Sequence, residues 1–306
     1  MAKKKKQKDP EPIGAKAIVR VRKYMKKFTP RQRIFADYVI QNREKLGFLS
    51  ITEAAKAAGI SQATIFRFCT VLGYEGYIEF SREIQQNIQA EMTSTRRFQL
   101  SRSHCDASEN NESTPFFEKV LNQELENILT LSQNIKKTDY YQCIDLINQA
   151  DRITIIGCRA SSSLAAHFSQ MLSKVFPNVD AVDHHSIITA SKINRLTSDS
   201  VAFVIAFPRF PKETVELAKI AAHRGAHVIC MTNSHLSPVM PFAEISFIMP
   251  ISIPDFVDAY TAPVAFITAL SAELGRKNPE KTQKGLEKFD DYVSKMDLFL
   301  KSQLLK

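Results

Sequence analysis

Disulfide and metal-binding patterns are missing from this sequence of 306 residues. The five cysteines are far apart, and no Cys-x-x-Cys pair or cysteine–histidine spacing typical of zinc sites occurs. The sequence therefore predicts no disulfide framework, no metal site and no cofactor, and it favours a reducing cytoplasm. The cysteines are Cys69, Cys105, Cys143, Cys158 and Cys230.

Long apolar runs are also missing. The longest mostly apolar stretch, residues 259–270, is far shorter than the ~20 residues that a membrane-spanning helix needs. The N-terminus is basic, but no apolar run with a small-residue cleavage site follows it, so we expect no secretory signal. Membrane and secreted proteins are therefore not the expected classes.

The positive charge is concentrated at the N-terminus. Lysine and arginine number 41 against 32 aspartate and glutamate, which gives a net charge of +9. Residues 1–27 alone hold eleven basic residues and two acids, so the rest of the chain is neutral. We expect these residues to form a flexible basic arm. Such an arm can bind nucleic acid by releasing counterions from phosphates, or it can simply keep the protein soluble.

Three zones follow the arm. Residues 28–92 show helical patterns and no convincing strand. Residues 93–115 are rich in serine, threonine, asparagine and charge, and they read as a linker. Residues 116–306 open with a helical stretch and then alternate short apolar runs with amphipathic segments.

The apolar runs of the third zone predict a parallel sheet. Strands that are apolar along their whole length and are separated by helices indicate a sheet covered on both faces. We therefore expect a three-layer αβα domain with a five-stranded, doubly wound sheet, and a long helix over residues 256–273. The five runs are residues 152–157, 179–183, 201–207, 227–232 and 244–249.

The most informative pattern lies in residues 50–77, SITEAAKAAGISQATIFRFCTVLGYEGY. Thr52 can cap a first helix, and Gly59 can end it because glycine tolerates positive φ. Ser61 can cap a second helix, and the apolar Ile60 would fill the angle between the two. This arrangement is typical of a helix-turn-helix. The inner face of the second helix would be Ile65, Phe68 and Leu72.

The outer face of that second helix offers side chains suited to double-stranded operator DNA. Gln62 and Arg67 can make bidentate contacts with adenine and guanine edges. Ser61 and Thr64 suit phosphate oxygens. The alternative is a plain helical hairpin whose polar side faces water.

Residues 28–91 resemble the N-terminal domain of the RpiR/MurR family of bacterial transcription regulators. The run ATIxRFCxxLGYxGY, residues 63–77, is highly specific for that family. The other residues that carry the resemblance are Thr29, Pro30, Ile34, Phe35, Ala36, Asp37, Tyr38, Val39, Ala54, Ala55, Gly59, Ile60 and Ser61.

The third zone is similar to a sugar isomerase (SIS) domain, the usual partner of this helix-turn-helix in the family. The matching stretches are residues 153–168, 201–207 and 225–249. The resemblance implies that the domain binds a phosphosugar at the carboxyl ends of its strands and forms the oligomer interface. We expect a homodimer or a homotetramer, because helix-turn-helix proteins usually bind two half-sites.

Two departures from the SIS pattern point to an altered effector site. Arg159 stands where many SIS domains have a glycine, and residues 208–214, PRFPKET, replace the usual serine- and glycine-rich phosphate loop. Arg159 and Arg209 would lie at the same edge of the sheet, where guanidinium groups pair with carboxylate or phosphate. Surface or intersubunit ion pairs are the alternative. The other expected effector-binding residues are Ser161 and Ser162 at a helix N-terminus, Thr214, and His185 after the second strand.

These expectations describe a DNA-binding transcription regulator that responds to an anionic small molecule, either a phosphosugar or a sugar acid. No pairing of a nucleophile with a base can be defended, so the sequence predicts no catalytic residue. The alternative is a sugar-phosphate isomerase or deaminase-like enzyme with an appended helical domain.

Overall fold

A computed structural model of the chain describes residues 15–47, 49–81, 83–84, 94–95, 98–99, 115–235, 237–251 and 257–299. The chain divides into two compact units, Met1–Arg97 and Phe98–Lys306. The division falls inside the interval 93–115 that was predicted as a linker, and most of that interval lies outside the described residues.

The described part of the first unit is helical. Residues 77–81 and 83–84 are also helical and follow the last of the complete helices. The complete helices are α1 (Ala15–Tyr24), α2 (Pro30–Gln41), α3 (Arg43–Leu46), α4 (Ile51–Ala58) and α5 (Gln62–Val71).

Aromatic rings form the centre of this unit. Phe68 on α5 lies 4.7 Å from Phe28, 5.0 Å from Phe35 and 5.6 Å from Phe80, measured between ring centroids. All four side chains are buried. Because Phe68 contacts residues from before α2, within α2 and after α5, this cluster fixes the inner face of α5 against the rest of the unit.

Helix α1 corrects the predicted N-terminal boundary. Ala17 and Val21 are fully buried, and the guanidinium of Arg20 lies 5.3 Å from the centre of the Tyr74 ring. The flexible arm predicted over residues 1–27 is therefore too long, since the folded unit already includes Ala15–Tyr24. Residues 1–14 lie outside the described part of the chain.

The helix-turn-helix forms through two caps and one glycine. Ser50, not the predicted Thr52, caps α4: its side chain accepts from Glu53 N, and the Glu53 carboxylate accepts from Ser50 N. Gly59 ends α4 in the left-handed conformation, with φ of 65°, as the sequence predicted. Ser61 caps α5, also as predicted.

The second unit is a three-layer α/β domain. Its sheet has the order β2-β1-β3-β4-β5, and all neighbouring strands are parallel. The strands are β1 (Arg152–Ile156), β2 (Val179–Val182), β3 (Ser200–Ala206), β4 (His227–Thr232) and β5 (Ile245–Ile248). The helices are α6 (Phe116–Asn134), α7 (Lys137–Gln149), α8 (Ser162–Ser173), α9 (Ile187–Asn194), α10 (Lys212–His223), α11 (Thr261–Lys277) and α12 (Pro279–Met296).

Two apolar cores cover the two faces of this sheet. Helices α7, α8 and α11 bury their apolar sides in the core on one face, which also contains Ile153, Phe203 and Ile229. Helices α9 and α10 pack on the other face, against Val204 and Val228. The predicted αβα architecture and its five-stranded parallel sheet are therefore confirmed.

The helix predicted over residues 256–273 is displaced. The structure has α11 at Thr261–Lys277, and described residues 257–260 before it are not helical. None of the described helices is both long enough and apolar enough to cross a membrane.

Candidate functional site

The first candidate site is the exposed side of α5. Ile65 and Phe68 are fully buried and hold the inner side of the helix, while Gln62 and Arg67 are exposed on the outer side. The division of α5 into an inner and an outer face thus agrees with the sequence analysis. The DNA contacts assigned to the outer face remain a prediction.

The N-terminal turn of α5 is internally ordered. The Ser61 hydroxyl accepts from Thr64 N at 3.3 Å and lies 2.9 Å from Thr64 Oγ1. Gln62 Nε2 donates to Thr52 Oγ1 on α4 at 3.0 Å. The Gln62 amide still has its carbonyl oxygen and one N–H free for the edge of a base. Thr52 therefore orients the side chain and leaves it able to form two further hydrogen bonds. Thr52 was predicted as a cap, and its contact with Gln62 was not predicted.

The second candidate site lies at the carboxyl edge of the sheet. In the order β2-β1-β3, the chain turns to opposite sides after β1 and after β3, so the loops that follow these neighbouring strands leave a crevice between them. The predicted effector residues Arg159, Ser161 and Ser162 follow β1. Arg209 and Thr214 follow β3.

Gly157 allows the chain after β1 to pass close to α8. A Cβ atom on Gly157 would lie 2.7 Å from the carbonyl oxygen of Ser161, so a larger residue would displace this turn. Ser161 is buried and its side chain makes no capping hydrogen bond to α8, while Ser162 is half-buried at the first position of the helix. Capping alone therefore does not account for the Ser161 hydroxyl, and its role in effector binding remains a prediction.

Arg159 and Glu213 form an ion pair between the loop after β1 and the first turn of α10. Arg159 Nη2 donates to Glu213 Oε1 at 2.5 Å, and the Arg159 side chain is 71% exposed. Arg159 has a positive φ of 58°, a conformation that favours glycine. The alternative stated for Arg159, a surface ion pair, is thus observed, and both of its partners belong to the same chain. Arg209, which precedes Glu213 in the sequence, lies in the loop after β3 and is exposed.

The Thr214 side chain makes a contact within the fold and is not exposed to a ligand. Its side chain is fully buried, and its hydroxyl oxygen accepts a hydrogen bond from Cys158 N at 3.3 Å. This contact ties the first turn of α10 to the end of β1. Burial is the main cause that raises the pKa of the Cys158 thiol, so this cysteine is neutral at physiological pH. The geometry gives Thr214 a positioning role.

The histidines after β2 lie at the same edge and are both exposed. His184 Nδ1 is 2.5 Å from Asp183 Oδ1. His185, the predicted effector residue, precedes Ser186, which caps α9. The structure thus places His185 at the expected edge, and its contact with an effector remains a prediction.

Several buried polar atoms at this edge were missed by the sequence analysis. Within the described residues, Glu213 Oε2, Thr232 Oγ1, Asn233 Oδ1 and Ser237 Oγ are buried and have no hydrogen-bond partner. Thr232 ends β4 and is in register with Ala206 at the end of β3. Unpaired buried polar atoms are costly, so their presence at this edge of the sheet favours a polar ligand. No group of three or more potential metal ligands occurs in the described parts of the chain.

The two units therefore define a class of protein: a helix-turn-helix domain joined to a doubly wound α/β domain with a crevice between β1 and β3. Residues 16–91 match the helix-turn-helix domain of the rpiR family, and residues 146–272 match the SIS domain. The chain belongs to the RpiR family of helix-turn-helix transcriptional regulators that carry a SIS domain.

Named relatives agree with this assignment. An uncharacterized HTH-type transcriptional regulator of Haemophilus influenzae is 25% identical over 223 residues, which cover 71% of this chain and 73% of the relative. Another from Caldanaerobacter subterraneus is 26% identical over 227 residues, which cover 74% and 77% of the two chains.

Solved structures share the fold. The Vibrio vulnificus NanR protein complexed with ManNAc-6P is 21% identical, with a TM-score of 0.56, over 93% of this chain and all of that one. The sugar isomerase domain of an RpiR transcription factor from Sphaerobacter thermophilus is 17% identical, with a TM-score of 0.56, over 58% of this chain and 99% of that one.

Proposed function

We propose that the chain regulates transcription by binding operator DNA through the outer face of α5, and that an anionic metabolite controls this binding from the crevice between β1 and β3. The metabolite is a phosphorylated sugar or a sugar acid. The observation that carries the proposal is that one chain has both of these features. The N-terminus of α5 is exposed and ordered by hydrogen bonds, and basic side chains lie at the carboxyl edge of the sheet.

The DNA-binding half is supported by the chemistry and rigidity of α5. Gln62 is held by Thr52, and Arg67 is exposed on the same helix. Glutamine reads adenine and arginine reads guanine through two hydrogen bonds each. Ser61 and Thr64 add hydroxyls at the helix N-terminus, and hydroxyl side chains of this kind bind phosphate oxygens.

The effector half is supported by charge at the crevice. Three positive charges lie at this edge: Arg159 and Arg209 in the loops after β1 and β3, and Lys212 at the first position of α10. All three side chains are exposed. A bound anion would compete with Glu213 for the Arg159 guanidinium. Ser161 and Ser162 add hydroxyls at the start of α8. The ManNAc-6P bound to the NanR relative is a phosphosugar, which agrees with this class of ligand.

We also propose that the SIS domain forms a homodimer or homotetramer, and an exposed apolar row on α6 supports this. The row consists of Phe117, Leu121, Leu125 and Leu129, each more than half exposed and spaced four residues apart. Ridges with this spacing from two helices interdigitate at about −50°. In an antiparallel pair of copies, Phe117 would oppose Leu129 and Leu121 would oppose Leu125. A second exposed row, which would allow a tetramer, is Leu286, Phe289, Tyr292 and Met296 on α12.

The experiment that tests both halves combines ligand screening with DNA binding. Phosphosugars and sugar acids are screened by thermal shift, since a ligand at 100 times its Kd stabilises the native state by about 2.7 kcal/mol. The ligand that gives the largest shift is then added to a fluorescence-anisotropy titration with duplexes selected from a random library. We expect the ligand to change DNA affinity by about 5- to 150-fold.

Two results would contradict the proposal. Selection that enriches no duplex would remove the DNA-binding half, and a ligand that leaves DNA affinity unchanged would remove the regulatory half. Turnover of the same ligand to an isomerised or deaminated product, followed by NMR, would support the enzyme alternative instead.

A further inference from the structure

The outer face of α5 carries an aromatic residue that the sequence analysis did not consider. Helix α5 contains two phenylalanines, and they have opposite surroundings: Phe68 is fully buried, whereas Phe66 is 51% exposed. Phe66 lies one helical turn after Gln62 and directly before Arg67, and both of those side chains are exposed as well. The aromatic ring is therefore part of the face that is proposed to enter the major groove.

The Phe66 ring is supported from one side. A Cβ atom built on Gly76 would lie 3.6 Å from Phe66 Cε2, so the ring lies against the chain that follows α5. The Phe66 carbonyl accepts a hydrogen bond from Thr70 Oγ1 at 3.1 Å, which adds order to this turn of the helix. The ring is thus held in place with about half of its surface open, which lowers the entropy that binding would cost.

We propose that Phe66 is a further DNA-contacting residue and that its ring recognises the methyl group of thymine in the major groove. The inference rests on the DNA binding proposed above and adds an apolar element to it. Thymine is the base that carries a C5-methyl group in the major groove, and phenylalanine is among the side chains that contact it. Gln62 and Arg67 read hydrogen-bonding edges, whereas Phe66 reads the apolar surface beside them.

Removal of single methyl groups from the DNA tests this directly. Duplexes that bind the full-length protein are selected from a random library, and each thymine of the best duplex is replaced in turn by deoxyuridine, which lacks only the C5-methyl group. Affinities of the wild-type protein and Phe66→Ala are measured by fluorescence anisotropy at one salt concentration. Loss of one buried methyl group is expected to weaken binding about three- to five-fold.

We expect the effect of removing the Phe66 ring and the effect of removing a thymine methyl group to depend on each other at one or two base positions. Wild-type protein loses about three- to five-fold at those positions, and Phe66→Ala binds the all-thymine duplex more weakly but does not respond to the same deoxyuridine replacements. Phe66→Leu, which keeps an apolar side chain, retains most of the response. Ile78→Ala removes another exposed apolar side chain of the same unit and should leave the response unchanged.

Three results would overturn the inference while leaving the DNA-binding proposal intact: wild-type protein that responds to no deoxyuridine replacement, Phe66→Ala that binds as tightly as wild type, or Phe66→Ala that still responds fully. A Phe66→Ala protein that changes oligomeric state, measured by light scattering, without losing the thymine response would assign the ring to a protein contact. Failure to enrich any duplex would remove both this inference and the proposed function.

Discussion

Arg159 Nη2 lies 2.5 Å from Glu213 Oε1, and this ion pair joins the loop after β1 to the first turn of α10, which follows β3. These two loops flank the crevice at which open α/β sheets bind their ligands. The pair therefore spans the place where the effector is proposed to bind, and an anionic effector would compete with Glu213 for the arginine.

Arg159→Gly tests the side chain without a backbone penalty. Glycine suits the positive φ at this position, and an exposed ion pair contributes only about 0–1 kcal/mol to stability. We expect the free energy of unfolding to change by less than about 1 kcal/mol, while the thermal shift caused by the anionic effector is lost. The control is Lys295→Ala, which breaks an exposed ion pair with Asp291 on α12 and should leave the thermal shift intact. An unchanged thermal shift in Arg159→Gly would contradict the assigned role.

Thr214→Val should destabilise the SIS domain. The variant keeps the shape of the side chain but leaves the buried Cys158 N–H without its hydrogen-bond acceptor. The expected cost is about 1–3 kcal/mol, measured by urea denaturation. Thr214→Ser keeps the hydroxyl and should lose less. Equal stability of the valine variant and the wild type would show that this hydrogen bond contributes nothing.

Gly59→Ala should destabilise the helix-turn-helix through backbone conformation alone. No atom lies within 4 Å of a Cβ built on Gly59, so the added methyl group meets no steric obstacle. The left-handed φ of 65° costs an alanine about 1–2 kcal/mol. Gly76→Ala is the matched control, because that glycine has no positive φ and an added Cβ would make only ordinary contacts. Thermal denaturation should give Gly59→Ala the lower melting temperature of the two variants. A lower melting temperature for Gly76→Ala would be inconsistent with this explanation.

Leu121→Glu and Leu125→Glu should each dissociate the oligomer. A carboxylate in the middle of the α6 row would be buried against the apolar row of a second copy, and burial of an unpaired charge is costly. Multi-angle light scattering should show a smaller species for both variants. Gln133→Glu adds the same charge at an exposed position of α6 outside the row and should leave the mass unchanged. An unchanged mass for both leucine variants would place the interface elsewhere.

Much of the fold is visible in the sequence because burial leaves a pattern. The run from Val201 to Phe207 is apolar along its length because β3 is central and covered on both faces. Ile65 and Phe68 likewise predict the inner face of α5. Helix α1 is harder to predict, because its apolar residues Ala17 and Val21 stand among basic residues that dominate the local composition.

The site is less predictable than the fold, since its contacts join residues that are distant in sequence. The pairing of Arg159 with Glu213 depends on the neighbouring positions of β1 and β3 and on the exact course of two loops. The same holds for Gln62 and Thr52, whose hydrogen bond crosses the helix-turn-helix. Phe66 could have been noticed, because a phenylalanine at an outer position of α5 departs from the polar pattern around it.

The central claim, sequence-specific DNA binding through α5, is tested most directly by comparing a selected duplex with a scrambled duplex of the same composition. Fluorescence anisotropy at physiological salt should show that the wild-type protein prefers the selected duplex by at least about 1,000-fold. Gln62→Ala and Arg67→Ala should each lose about 1–3 kcal/mol of that preference. Equal affinity of the wild-type protein for both duplexes would contradict the account.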